Sequence, residues 1–135
     1  MPEASSVISS TPASGLAAPP PLHCTWKAGS CASWVHVAGR LDRATSRQLV
    51  RTLAEAQLNA RLLMLDLREL TFIDSSAIDV ILDAAARARR RGGRLMLARG
   101  PAEVDRVFTL TGACDQVLIF DLDPAEPART LLEVA

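Results

Sequence analysis

The sequence predicts one α/β domain: a mixed sheet of four to five strands with interleaved helices. Three observations predict it. Leu62-Leu63-Met64-Leu65-Asp66-Leu67 is a nearly continuous apolar run, as expected of a central strand covered on one face or both. Segments with apolar residues at helical spacing flank it, the upstream one carrying Leu49, Leu53 and Ala56 and the downstream one Ile78, Ile81, Leu82 and Ala85. Short strand-like and helical patterns then alternate, and such an order favours right-handed crossovers with parallel pairing.

Composition narrows the class. A chain of 135 residues can bury a real core without staples. Its 49% hydrophobic and 22% charged residues are those of an ordinary globular protein. A formal net charge of +0 argues against steering toward nucleic acid or an anionic membrane. Cys24, Cys31 and Cys114 cannot form a closed disulfide set and lack metal-ligand spacing. Free thiols in a reducing cytosol are expected, with no metal and no cofactor. No stretch approaches the roughly 20 apolar residues of a membrane span. Residues 1–21 contain no Lys or Arg, so the basic start of a secretory signal is missing, and a cytoplasmic protein is expected.

Taken in order, residues 1–21 are rich in Ser, Pro and Ala and read as a disordered tail, with the folded domain spanning 22–135. Leu22 to Lys27 and Cys31 to Ala38 read as strands joined at Ala28-Gly29. A tight turn there pairs Trp26 with Cys31, Cys24 with Ser33 and Leu22 with Val35. Leu22, Cys24, Trp26, Cys31, Val35 and Val37 then share the core face. Cys24 and Cys31 become diagonal neighbours at about 7–8 Å, too far for an unstrained bridge. Gly39-Arg40-Leu41-Asp42 reads as a turn into a helix from about Ala44 to Ala60, and Asp42 is its candidate cap.

After the central strand, a helix begins at the serines and runs to about Arg91. Asp83 and Arg87 form an i,i+4 pair on it, and Gly92-Gly93 stops it behind a cluster of arginines. Leu95 to Ala98 is the next strand. Pro101 suits the first position of a helix ending near Gly112. Val117 to Phe120 is the last strand, and Pro124 to Val134 forms a closing helix anchored by Leu131 and Leu132.

The stretch that carries chemistry is Phe72-Ile73-Asp74-Ser75-Ser76-Ala77, where a strand feeds a helix through polar residues. Asp74, Ser75 and Ser76 are all good N-cap residues. Ser76 is the favoured cap: Asp79 then sits three residues on, a capping-box variant that leaves the Ser75 hydroxyl free. With Asp74 at the cap, both serines fall in the first turn. Either way a phosphate on a serine would meet free N–H groups and the positive end of the helix dipole.

Ile73-Asp74-Ser75-Ser76 after Leu65-Asp66-Leu67, with Gly39-Arg40-Leu41-Asp42 upstream, resembles the STAS domain of bacterial anti-sigma factor antagonists. The resemblance covers roughly residues 22–134 and implies a STAS-like fold and a non-enzymatic regulatory role. It implies capture of an anti-sigma factor, which is also a serine kinase, so that a sigma factor is freed. It further implies phosphorylation of the serine after the Asp, here Ser75 with Ser76 as alternative, and a phosphatase that resets it. The partner surface implied is Asp42 and Thr45 together with Asp74, Ser75, Ser76, Ala77, Asp79 and Val80. Ala77 and Asp79 depart from the glycines usual in the family, and Arg40 replaces an acidic residue. Asp79 adds a carboxylate that could oppose phosphorylation, mimic it, or select a different partner. Asp66 matches a family landmark but reads as a hydrogen-bonded structural carboxylate near the strand's end.

Other readings are a STAS scaffold or sensor within a larger assembly, responding to redox state or nucleotide, and a serine hydrolase using Ser75 with His23 or His36. Cys114, after Thr111-Gly112-Ala113, is the candidate redox residue at an exposed turn. No Gly-x-Ser-x-Gly elbow supports the hydrolase. The arginines of 87–94 are explained by helix C-terminal solvation and lack interleaved aromatics, so no nucleic-acid partner is expected.

Overall fold

The computed structural model describes residues 22–29, 32–58 and 60–122. The tail, Cys31 and the closing helix expected at Pro124 to Val134 lie outside them. In chain order the elements are β1 (Leu22–Ala28), β2 (Ala32–Leu41), α1 (Ser46–Gln57), β3 (Leu62–Ile73), α2 (Ser75–Arg90), β4 (Arg94–Ala98), α3 (Ala102–Leu110), a 3-10 turn (Ala113–Asp115) and β5 (Leu118–Phe120). The sheet has five strands in the order β1-β2-β3-β4-β5, antiparallel between β1 and β2 and parallel thereafter. The mixed α/β architecture is the one expected.

Apolar stripes explain the layers. Leu49, Leu53 and Ala56 of α1 and Ile78, Ile81, Ala84 and Ala88 of α2 join Val35, Val37, Leu63, Leu65 and Leu97 in one buried cluster, which Val104 and Phe108 of α3 extend. Residues 63–67 of β3 are all buried, with Trp34, Met64 and Ala98 on the alternate face, so both faces of the central strand are covered. At the far end of α2, Gly92 takes a left-handed φ of 82° and Gly93 N–H reaches Ala88 O at 2.8 Å, closing the helix as expected of a C-terminal glycine.

Four expectations are corrected. In the hairpin, Leu22 faces Gly39, Cys24 faces Val37 and Trp26 faces Val35, a register four residues longer than the tight turn requires. Gly29 N–H bonds to Ala32 O at 2.6 Å, so a wider loop replaces the Ala28-Gly29 turn. Four is an even shift, so Leu22, Cys24, Val35 and Val37 still share the core face.

Gly39-Arg40-Leu41 is not a turn but the end of β2, and β3 runs on past Leu67 to Ile73. The added pairing needs two register shifts, one between His36 and Ala38 and one between Gly39 and Arg40. Gly39, at φ 102°, supplies a conformation that other residues rarely adopt. The glycine that signals a turn in the sequence serves an irregularity in a strand.

Helix α1 is also shorter than the expected span from Ala44 to Ala60, because residues 42–45 form a separate turn. Pro101 precedes the first helical residue of α3 as its N-cap, one place earlier than expected.

Candidate functional site

Parallel β2 and β3 end side by side, Leu41 opposite Ile73, and each hands over to a helix start. The two exits are tied together by Asp74. Its N–H donates to Leu41 O at 3.2 Å, its Oδ2 accepts from Arg43 N–H at 3.1 Å, and its Oδ1 accepts from Ala77 N–H at 3.1 Å. Asp74 is therefore the N-cap of α2, in an extended conformation at φ −118° and ψ 177°. This overturns the assignment of Ser76 to the cap, and with it the capping-box role of Asp79. The deciding group is Arg43 N–H, from a loop remote in sequence, which rewards a carboxylate at position 74 and nothing at 76.

Ser75 and Ser76 accordingly occupy the first two helical positions, where N–H groups have no acceptor within the helix. Ser75 is exposed and Ser76 half-buried, and with the cap taken neither hydroxyl is committed to it. Asp79 is exposed about one turn further on, and Val80 is half-buried beside it.

The neighbouring turn is held by a reciprocal pair. Thr45 N–H donates to Asp42 Oδ1 at 3.1 Å, and Asp42 N–H donates to Thr45 Oγ1 at 2.9 Å, while that hydroxyl donates to Arg40 O at 2.9 Å. Asp42 thus caps the turn before α1. Slight burial works against the Asp42 carboxylate, but the Thr45 N–H and hydroxyl and the nearby Arg40 guanidinium outweigh it and hold its pKa below the usual value. Thr45 is 7% exposed and Ala77 0%, so these two support the surface from beneath rather than presenting side chains on it.

One contact here was not legible in the sequence. Arg40 and Phe72 are register partners across β2 and β3, and the guanidinium carbon lies 4.3 Å from the ring centroid. Arg40 Nη2 also stands 3.6 Å from Asp42 Oδ2. The only usable signal would have been the extended strand pairing, which local patterns conceal.

Asp66 is not near the turn but midway along β3, at the first register shift. It accepts from Arg68 Nε at 3.0 Å, Arg68 Nη2 at 2.9 Å and Arg68 N–H at 3.0 Å, and His36 Nδ1 lies 3.6 Å away. Burial pushes the carboxyl up, but the neighbouring His36 and the Arg68 hydrogen bonds prevail and hold it well below the usual carboxylate range. His36 also contacts Glu69 Oε1 at 3.2 Å through Nε2. The adjacent Asp66 carboxylate raises its pKa against the effect of burial, aided by the charge of Glu69. The histidine offered as a hydrolytic base is thus engaged by Asp66 and Glu69, and Ser75 has no imidazole partner among the described residues.

Burial pushes the Cys24 thiol up to about 12 despite a bond with Thr52, whereas Cys114 is exposed in the 3-10 turn. Among the described residues, no group of His, Cys, Asp and Glu is placed to hold a metal, and no helix is long and apolar enough to cross a membrane. Grooves of about 300 Å³ beside Arg61 and Arg91, about 330 Å³ beside Arg89 and Leu118, and about 350 Å³ beside Arg99 and Pro101 do not include the serines.

A family model described as "Mlab, STAS domain" matches residues 26–119, most of the described chain. The chain belongs to the STAS domain family. Solved structures share its fold. The anti-sigma factor antagonist SpoIIAA in its unphosphorylated form is 18% identical, with a TM-score of 0.67, covering 82% of this chain and 95% of that one. The Bacillus cell fate determinant SpoIIAA in its phosphorylated form is 17% identical, with a TM-score of 0.63, covering 83% and 99%. An anti-sigma factor antagonist from Mycobacterium paratuberculosis is 19% identical, with a TM-score of 0.67, covering 88% and 97%. The murine anion transporter Slc26a9 is similar in only 19% of its own chain, over 82% of this one, at 15% identity and a TM-score of 0.63. In this STAS domain, the paired strand ends and their two helix starts form the candidate site.

Proposed function

We propose that this STAS domain is an anti-sigma factor antagonist. Unphosphorylated, it captures an anti-sigma factor that is also a serine kinase, and so frees a sigma factor. Phosphorylation of Ser75 breaks the capture, and a phosphatase restores it. The observation that carries the reading is that Asp74 takes the cap and leaves an exposed Ser75 hydroxyl at the first helical position. The likeness to SpoIIAA, known in unphosphorylated and phosphorylated forms, supports it.

A phosphate at Ser75 adds roughly −1.5 to −2 charges. The helix dipole and the free first-turn N–H groups favour it, so the domain has no need to change fold. A docked partner would instead have to bury or oppose the new charge, which makes the switch one of local electrostatics. The contact surface consists of Asp42, Asp74, Ser75, Ser76, Asp79 and Val80, supported by Thr45 and Ala77. The role is that of a non-enzymatic, cytoplasmic binding module without nucleic-acid or membrane partners.

Incubation of the purified protein with ATP and each anti-sigma kinase of its source, followed by phosphosite mapping, is expected to label Ser75. Ser75→Ala should abolish the label, and Asp79→Gly, by removing a nearby carboxylate, should speed it. No label at Ser75 with any kinase contradicts the proposal. The likeness to a region of Slc26a9 favours a second reading, a STAS scaffold or sensor in a larger assembly. Under that reading the partner binds Ser75→Glu as well as wild type.

A further inference from the structure

We infer that Arg40 and Phe72 form a specificity element at the Ser75 end of the sheet, a guanidinium–aromatic stack that receives a carboxylate from the protein partner. The inference rests on the antagonist reading and deepens it by naming the chemistry of the partner's contact. Their position comes first. Arg40 and Phe72 are paired one residue before the Leu41 and Ile73 pair that leads into Asp42 and Asp74. The stack therefore lies at the same end of the sheet as Ser75, on the face opposite the buried Leu41 and Ile73.

Both side chains are available there. The Arg40 side chain is 55% exposed, and Phe72, 38% exposed, is among the large hydrophobic residues left facing solvent. Arg40 contacts Asp42 Oδ2 at 3.6 Å and makes no other polar contact among the described residues, so most of its N–H donors point outward. The ring at 4.3 Å covers one face of the guanidinium and limits its rotamers. Asp42 is itself fixed through Thr45, so the cation is held by groups that are already ordered.

The chemistry of the pair decides the occupant. Asp42, Asp74 and Asp79 share this end of the sheet with two arginines, Arg40 and the exposed Arg43, of which Arg40 is the one stacked on a ring and steadied by Asp42. A planar guanidinium with free donors matches a carboxylate through paired hydrogen bonds, which an ammonium cannot reproduce. An apolar side chain beside that carboxylate would cover the Phe72 ring. Arg and aromatic residues of this kind dominate interface energetics when a partner desolvates them.

The test uses the full chain and the purified anti-sigma factor of its source whose binding is lost in Ser75→Glu. Titration calorimetry at low and high salt compares wild type with Arg40→Lys, Arg40→Glu, Phe72→Leu and Phe72→Ala. Arg40→Glu is expected to weaken binding about a hundredfold and Phe72→Ala about tenfold. Arg40→Lys should retain part of the affinity, and Phe72→Leu should fall between wild type and Phe72→Ala. Reversing one acidic residue on the partner should rescue Arg40→Glu. Thermal melts of each variant control for folding, and Arg40→Lys and Phe72→Leu keep the bulk of the stack should the harsher changes unfold it. Binding of every folded variant within about twofold of wild type, while Ser75→Glu still abolishes it, overturns the inference and leaves the antagonist reading standing. If no purified anti-sigma factor binds wild type in a Ser75-dependent way, the reading fails and the inference falls with it.

Discussion

Asp66 and Asp74 lie on one continuous stretch of chain, the first midway along β3 and the second just beyond its end. Both carboxylates are fully engaged, yet in opposite ways. Asp66, 1% exposed, is satisfied by Arg68 and His36 from its own strand and the adjoining one. Asp74 uses backbone N–H groups of the 42–45 turn and of the first turn of α2. A buried carboxylate must bring charged partners with it, because desolvation alone would neutralise it. A carboxylate at a helix start can be satisfied by amides, and by taking the cap it leaves neighbouring hydroxyls free. Asp66 therefore builds the sheet, and Asp74 leaves the hydroxyls of the candidate site uncommitted to the cap.

The contrast can be broken most sharply at Asp66. Asp66→Ala removes the buried carboxylate that Arg68 and His36 face and should cost about 3–5 kcal/mol in urea unfolding. Ser75 labelling should survive in whatever fraction remains folded. Asp74→Ala removes a cap and a bridge between loops and should cost about 1–2 kcal/mol. It should also slow Ser75 labelling, because a serine hydroxyl is then drawn into the vacant cap. Asp74→Asn, which keeps an acceptor oxygen for Ala77 N–H, should lose less on both counts.

A pH series separates the two aspartates further. Folding raises the His36 pKa above its unfolded value of about 6.5, so its contribution is complete below that pH and lost as pH rises through the folded value. Folding lowers the Asp66 pKa, so its contribution is present above about pH 3.9 and lost as pH falls toward the folded value. The cluster should stabilise most between about pH 4 and 6.5. Urea midpoints of wild type should therefore decline above that window, whereas those of His36→Gln should stay level there. The smallest change is expected at the site itself: Ser75→Glu, at the positive end of the α2 dipole, should alter stability by less than about 1 kcal/mol.

The alternation of strands and helices, the stop at Gly92-Gly93 and the Asp83–Arg87 pair, found at 3.3 Å, were legible because each depends on local chemistry. Three features were not. The extension of β2 and β3 is set by pairing between distant segments, and polar Arg68, Glu69 and Thr71 mask a strand whose Leu70 and Ile73 remain buried. The cap of α2 was a contest among three suitable residues, decided by Arg43 N–H from another loop. The hairpin register depended on loop length, although an error of even parity left the core face intact. Ser75 stands out by its motif alone, while the Arg40–Phe72 stack was not legible because it exists only once the strands pair.

The central claim is that Ser75 carries a charge switch at a preformed surface. The most direct measurement is the affinity of wild type, Ser75→Ala and Ser75→Glu for the cognate anti-sigma factor, with folding verified by thermal melts. Ser75→Ala should bind within about threefold of wild type, and Ser75→Glu should lose about a hundredfold. Equal binding of Ser75→Glu and wild type would contradict the account.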